Sequence, residues 1–246
     1  MTVVYYSQED KRWANAPYTI RNDPKQTIGT SACGPTCFAM IAASWIDPSI
    51  TPPETAKWAV YNGFRTANSG TAWTYFEAAA KHYGLACKQT GSLSEAKQAL
   101  AAGALVIASM GPGHMTGGGH YVLLVGISGK WVEVFDPNHD NTKYGADGLI
   151  KQGVKNDGKI EADESVFKRE ARQYWIFPKT VKEEAKSVEK VPLTKFPDVK
   201  AGHWAESSIK AASDAGIMKG LPDGTFAPDK PVTRAEMAVI VAKLIK

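Results

Sequence analysis

Residues 179–195 read Lys-Thr-Val-Lys-Glu-Glu-Ala-Lys-Ser-Val-Glu-Lys-Val-Pro-Leu-Thr-Lys, a stretch without aromatics in which nearly every second residue is charged. Such a segment buries too little apolar surface to offset the entropy of ordering it, so it is expected to be a charged linker. It divides the 246-residue chain into a body, residues 1–178, and a tail, residues 196–246. The body has the size of an ordinary single domain, whereas a tail of about 50 residues lies at the margin of what a private core can hold. With 43% hydrophobic and 22% charged residues, disordered, collagen-like and coiled-coil readings are poor. Up to Pro178 there are 17 basic and 16 acidic residues, and beyond it 12 and 9. Neither part has the basic footprint of a nucleic-acid binder. Three cysteines exclude a disulfide framework and predict free thiols. The first ten residues lack the basic and apolar regions of a signal peptide, and no apolar run approaches the roughly 20 residues of a membrane span. Synthesis in a cytoplasm, with no membrane partner, is the expectation.

Within the body, apolar spacing predicts a helix from Cys33 to about Trp45, with Pro35 in its first turn where no N–H is needed. A second helix is predicted from Thr71 to Tyr83, stopping at Gly84, and a third from the capping pattern Ser92-Leu-Ser-Glu95 to Gly103. Ala104–Met110, Tyr121–Ile127 and Trp131–Phe135 read as strands, the last two joined by the turn Ser128-Gly129-Lys130. Helices followed by antiparallel strands predict an α+β domain. The loop Gly111–Gly119 holds five glycines and must be mobile or tightly turned.

Cys33 stands in Gly-Thr-Ser-Ala-Cys-Gly-Pro-Thr at a helix start, where the helix dipole and unpaired N–H groups favour a thiolate. Cys37, one turn on, and Cys87 read as packing residues. His120 closes the glycine loop and opens a strand, and Asp136 ends the next strand of the predicted hairpin. The two are therefore expected as cross-strand neighbours, a base and its orienting carboxylate. Each alone is equally a polar residue at a strand end, but the three together are hard to obtain by accident. His114, His82 and His139 fit surface roles better than metal binding. Asp136, Asn138, Asp140 and Asp147 imitate a calcium loop, yet the sixth position is Asn141 and the twelfth an aspartate, so Ca2+ between Asp136 and Asp147 is not expected and no cofactor is predicted. Zinc-protease and Gly-x-Ser-x-Gly patterns are absent from the sequence.

The stretches Tyr6-Ser-Gln8, Ala32-Cys33-Gly-Pro-Thr, Gly119-His120-Tyr-Val-Leu-Leu-Val-Gly and Val134-Phe-Asp136-Pro resemble the papain-like C39 cysteine peptidases, in particular the branch found in phage endolysins and cell-wall hydrolases. The resemblance spans roughly Val3 to Pro178. It implies a papain-like fold of N-terminal helices on an antiparallel sheet, with Cys33 as nucleophile, His120 as base and Asp136 as its orienter. It also implies a glutamine that helps to form the oxyanion hole. Gln8 matches the local motif but lies 25 residues before Cys33; Gln26, seven before it, is the alternative.

In the tail, Phe196-Pro-Asp-Val, His203-Trp-Ala, Gly220-Leu-Pro-Asp-Gly-Thr-Phe-Ala-Pro and Thr233-Arg-Ala-Glu-Met-Ala resemble one S-layer homology (SLH) motif. Two helices are predicted, about Trp204–Ala215 and Thr233–Ile245, the second opened by a Thr233/Glu236 capping box. The resemblance implies binding to the secondary polymer of a bacterial cell wall, with Trp204, Arg234 and Glu236 as candidate contacts. Such motifs usually come in threes, and a lone one scarcely buries its own apolar face. Self-association, for instance as a trimer, or packing on the body is therefore expected. The functional expectation is a bacteriolytic cysteine peptidase of the endolysin type cutting peptidoglycan. The rivals are a wall-associated peptidase or amidase with another substrate, and a non-catalytic wall protein.

Overall fold

The computed structural model describes residues 2–68, 70–179, 194–201 and 203–245. The linker expected at 179–195 falls almost wholly outside them. The chain divides into two compact units, Met1–Val181 and Lys182–Lys246. The first places helices α1 (Ile28–Ser31), α2 (Cys33–Trp45), α3 (Pro52–Tyr61) and α4 (Tyr75–Tyr83) ahead of the sheet-forming segments. Strands β1 (Lys88–Thr90), β2 (Leu105–Met110), β3 (His120–Ser128), β4 (Trp131–Phe135), β5 (Ile150–Gln152), β6 (Lys159–Asp163) and β7 (Ala171–Phe177) follow, with α5 (Leu93–Ala101) after β1 and α6 (Glu164–Glu170) after β6. The seven strands form one antiparallel sheet in the order β1-β7-β2-β3-β4-β6-β5. This is the α+β arrangement expected from the sequence.

Alternation along the central strands sends side chains to two different cores. Val106, Ala108, Val122, Leu124, Val132 and Val134 pack with Ala96 and Leu100 of α5 and with Val166 and Phe167 of α6. On the other parity, Phe177 meets Phe38 of α2, while Trp175 and Tyr121 meet Phe76 of α4. Helix α2 is thereby enclosed, with ten of its thirteen residues buried. Gly34 allows this close approach: a Cβ there would stand 3.1 Å from Thr71 and 3.3 Å from the Tyr121 ring.

The helix predicted from Thr71 begins instead at Tyr75. Thr71 forms an isolated bridge with Arg65, its hydroxyl meets that of Tyr18 at 2.7 Å, and its carbonyl accepts from Tyr121 Oη at 2.9 Å. These tertiary partners hold its backbone out of the helix. Gly84 (φ 71°) and Gly103 (φ 82°) end their helices in the left-handed region, as the sequence predicts. The glycine loop is tightly turned: Gly111 N donates to Glu170 O at 2.7 Å and Gly113 N to Thr116 O at 2.8 Å.

The second unit contains α7 (Glu206–Asp214) and α8 (Arg234–Leu244). Its core is small: Phe196, Val199, Ala205 and Ile209, with Trp204 and Phe226 packed against it. The Asp198 carboxylate accepts from Phe226 N at 2.9 Å and Ala227 N at 2.6 Å, which fixes the turn-rich loop. Lys243 ties α8 to the carbonyls of Gly216 and Ile217, 2.9 Å each. No residue of α8 is buried.

Candidate active site

The sequence places Cys33 at the first position of α2, directly after the short α1. The thiol is half-buried. The His120 ring and the backbone N–H groups of Gly34 and Tyr121 lie around its sulfur and favour its charged form. Burial works against the thiolate, but the imidazole and the two N–H donors outweigh it and hold the thiol below its ordinary range. Cys37 is buried, donates to Tyr121 O at 3.4 Å, and has its thiol driven upward by burial. Burial also drives the Cys87 thiol up, to about 12. Both fit the packing role expected of them.

His120 Nε2 lies 2.6 Å from Asp136 Oδ1, which leaves Nδ1 for Cys33. Burial disfavours the charged ring, yet the Asp136 carboxylate and the sulfur overcome it and push the imidazole up to about 10. A low thiol beside a high imidazole favours a thiolate–imidazolium pair.

A strand irregularity makes the His120–Asp136 contact available. Near the hairpin turn the pairs are Ser128↔Trp131 and Gly126↔Glu133, but beyond Val125 they become Leu124↔Val134 and Leu123↔Phe135. Continued by one residue, the second register sets Asp136 opposite Val122, which shares a face with His120. The first register would set it opposite Leu123, on the other face. The extra residue in β3 flips the parity, so the bulge delivers the carboxylate to the histidine. The two are diagonal neighbours, not directly opposed.

Asp136 is fully buried, and all its polar atoms are engaged. Oδ1 also accepts from Asn138 N at 2.8 Å, and Oδ2 accepts from Asn141 Nδ2 and Tyr144 Oη, each at 2.9 Å. Its N–H donates to Gly158 O at 2.7 Å and its carbonyl accepts from Tyr5 Oη at 2.8 Å. Gly158 has φ 70°, and a side chain there would collide with Tyr5 and with this carbonyl. The supposed first ligand of a calcium loop is thus satisfied by protein donors, and Asp147, at its twelfth position, faces His114. Tyr144 and Asn141 were not singled out as orienters, since nothing local announces that a loop residue returns to a strand end.

Gln8 is buried between the two halves of the site. Its N–H donates to Pro137 O at 2.9 Å, next to Asp136, and its Nε2 to Gly29 O at 2.6 Å, four residues before Cys33. Gln26 directs its Nε2 to Ala67 O at 3.0 Å. His114 is not a simple surface residue: its Nδ1 lies 2.6 Å from Glu170 Oε1 and its Nε2 3.0 Å from Asp147 Oδ2, pinning the glycine loop. His82 stacks on Trp58. Glu9, His139 and Asp140 place one potential ligand atom each within 4.8 Å of one another, the metal-compatible cluster among the described residues.

In the tail, Trp204 is half-buried against the small core and Arg234 is exposed. The Glu236 carboxylate accepts from Thr233 N and Thr233 Oγ1, each at 2.8 Å, completing the capping box.

Comparison with known proteins places this arrangement. Residues 1–156 match the model of the Peptidase_C39 like family, and residues 195–238 that of the S-layer homology domain. The chain belongs to the Peptidase_C39 like family and carries a C-terminal SLH segment. Among solved structures it is similar to a Bacillus anthracis protein described as a C39-like peptidase (14% identity, TM-score 0.43, covering 72% of this chain and 95% of that one). It is also similar to the peptidase domain of Streptococcus ComA, a bi-functional ABC transporter (16% identity, TM-score 0.41, 61% and 93%). The tail is 52% identical over 50 residues to S-layer protein EA1 of Bacillus anthracis, 20% of this chain and 6% of that protein. A cellulosome-anchoring protein of Acetivibrio thermocellus is 32% identical over 112 residues, 45% of this chain and 25% of that protein. The chain therefore spans only a small part of these curated relatives. Among the described residues no helix is long and apolar enough to cross a membrane.

Proposed function

We propose that this chain is a cysteine peptidase of the bacterial cell wall that hydrolyses peptide bonds in peptidoglycan, with its tail bound to the secondary wall polymer. The observation that carries the reading is the relay from Cys33 through His120 to a fully buried Asp136, on one chain with an SLH segment. In this mechanism the Cys33 thiolate attacks the scissile carbonyl carbon. The oxyanion is received by the Cys33 N–H and by Gln8, whose amide has a second hydrogen beyond the one on Gly29. His120 Nδ1 gives its proton to the leaving amine, and a thioester remains. The same nitrogen then takes a proton from water, the hydroxide attacks the thioester, and acid and thiol are released. Asp136 keeps the ring oriented throughout. A polymer-bound tail raises the local concentration of enzyme at its insoluble substrate.

The bacteriolytic action of an endolysin is the sharper form of this proposal. Purified Gram-positive walls should lose turbidity with the wild type and not with Cys33→Ala, and mass spectrometry of the fragments should reveal new peptide termini. Equal clearing by Cys33→Ala would overturn the mechanism; intact walls with both proteins would overturn the substrate. Gln8→Ala should lose on the order of 100-fold in turnover and Gln26→Ala little. The bare α8 also supports association through the tail, for instance as a trimer. Light scattering at micromolar concentration with and without residues 179–246 tests it, and two monomeric forms would refute it.

A further inference from the structure

Arg65 is 3% exposed, yet among the described residues no carboxylate meets its guanidinium. Its Nε donates to Tyr18 O at 2.7 Å and its Nη1 to Thr66 O at 2.6 Å and Gly70 O at 2.9 Å. Its Nη2 reaches Ser31 Oγ at 3.4 Å, two residues before Cys33. The carbon of the guanidinium lies 4.8 Å from the Tyr18 ring centre. Neutral carbonyls can orient a buried cation but do not cancel its charge, and an uncompensated buried charge is costly. The residues around Arg65 all lead to the start of α2. Ser31 precedes Cys33, Thr71 is the bridge partner of Arg65, and Thr71 presses on Gly34, the residue after the nucleophile.

We infer that Arg65 is a positioning residue for the nucleophile: a fixed, buried positive charge beside the N-terminus of α2 whose counter-charge is the Cys33 thiolate. The groups that face the sulfur are otherwise His120, which is cationic in the active pair, and Tyr18, Tyr121 and Cys37, whose own acidities burial weakens. Burial works against the charge on Arg65, and the electrostatic influence of Tyr18 and Cys33 restores part of it. Arginine suits the place because its charge persists when buried and its planar fork serves several carbonyls at once. The inference rests on Cys33 being the reactive thiol, but not on what the enzyme cuts.

The test is therefore alkylation of the full-length protein by iodoacetamide across pH, with mass spectrometry localising the label to Cys33. Arg65→Met should raise the midpoint of Cys33 reactivity by about one pH unit, making alkylation roughly ten-fold slower below the midpoint. Arg65→Lys, which keeps the charge, should stay within about three-fold of wild type. A folded Arg65→Met variant with the wild-type profile would overturn the inference, as would equal losses in the Met and Lys variants. If Arg65→Met does not fold, nitrogen NMR of the unmutated chain decides. The Arg65 Nε–H resonance should inflect at the alkylation midpoint of Cys33, and a flat resonance would overturn the inference. Because alkylation needs no wall substrate, failure here is distinguishable from failure of the peptidoglycan reading.

Discussion

Helices α2 and α8 are both rich in small and aliphatic residues, and they meet opposite fates. Ten residues of α2 are buried, whereas α8, Arg-Ala-Glu-Met-Ala-Val-Ile-Val-Ala-Lys-Leu, buries none and exposes Met237, Val239, Val241 and Leu244. Apolar composition supplies a driving force, but burial requires a partner surface, and a helix apolar on most sides is normally a buried one. The body provides that surface through a seven-stranded sheet and its helices. Among the described residues, the tail provides four buried hydrophobic residues and two flanking aromatics. One helix thus holds the proposed nucleophile, Cys33, at the start of a packed segment, while the other presents a face. Chemistry and attachment should accordingly be separable by mutation.

The strongest way to break that separation is Asp136→Asn. The variant keeps the shape but removes the charge that orients His120 and favours its protonated form, so turnover should fall about 10²–10⁴-fold. Sedimentation with purified walls should be unchanged, since the tail is intact. If wall binding fell together with turnover, the division of labour would be wrong.

Next comes packing. Phe38→Ala empties a fully buried site ringed by Tyr75, Tyr83 and Phe177 and should cost about 3–5 kcal/mol in denaturant unfolding of the body. Val241→Ala removes a side chain that is 46% exposed and should cost below about 0.5 kcal/mol in dilute protein. A core-sized loss at Val241 would mean that α8 is covered in solution after all.

The contrast also bears on what could be read from sequence. The start and end of α2 were legible because their signals are local: Pro35 in the first turn and an apolar spacing that ends at Trp45. The capping box of α8 was legible for the same reason. The proximity of His120 and Asp136 followed from a two-strand hairpin, but the bulge at Val125 that decides their shared face is marked only by Gly126, and a lone glycine within a strand does not specify a register shift. Strand β7, Ala-Arg-Gln-Tyr-Trp-Ile-Phe, was missed although its aromatic run is a usable strand signal. Asn141 and Tyr144 return to Asp136 through an irregular loop, and Arg65 reaches Ser31 from far along the chain; no periodicity encodes such approaches.

A smaller effect is the pH response, again confined to the body. The thiol of Cys33 is held below its ordinary range and the imidazole of His120 up to about 10. Turnover should rise as Cys33 loses its proton and fall as His120 loses its own near pH 10. For stability, a raised imidazole stabilises the fold fully below its unfolded value of about 6.5. That contribution is lost as pH rises through about 10. Asp136→Asn should move the alkaline limb of turnover to lower pH, and an unmoved limb would remove His120 as its source.

The smallest expected effect concerns two equivalent caps in the two settings. Ser92 Oγ accepts from Glu95 N at 3.2 Å at the start of α5, and Thr233 Oγ1 accepts from Glu236 N at 3.2 Å at the start of α8. Alanine at either position removes a partner from an exposed helix end and should cost about 1 kcal/mol. The cost should be expressed differently. Helix α5 packs Ala96 and Leu100 into the sheet core, so Ser92→Ala should lower the global unfolding free energy of the body with little local opening. Helix α8 has no buried residue to hold it, so Thr233→Ala should instead accelerate amide hydrogen exchange in its first turns, about five-fold for 1 kcal/mol, and leave body unfolding unchanged. Exchange that slows with rising protein concentration would show α8 gaining a partner, whereas exchange independent of both concentration and Thr233→Ala would contradict the picture of a bare helix held by its cap.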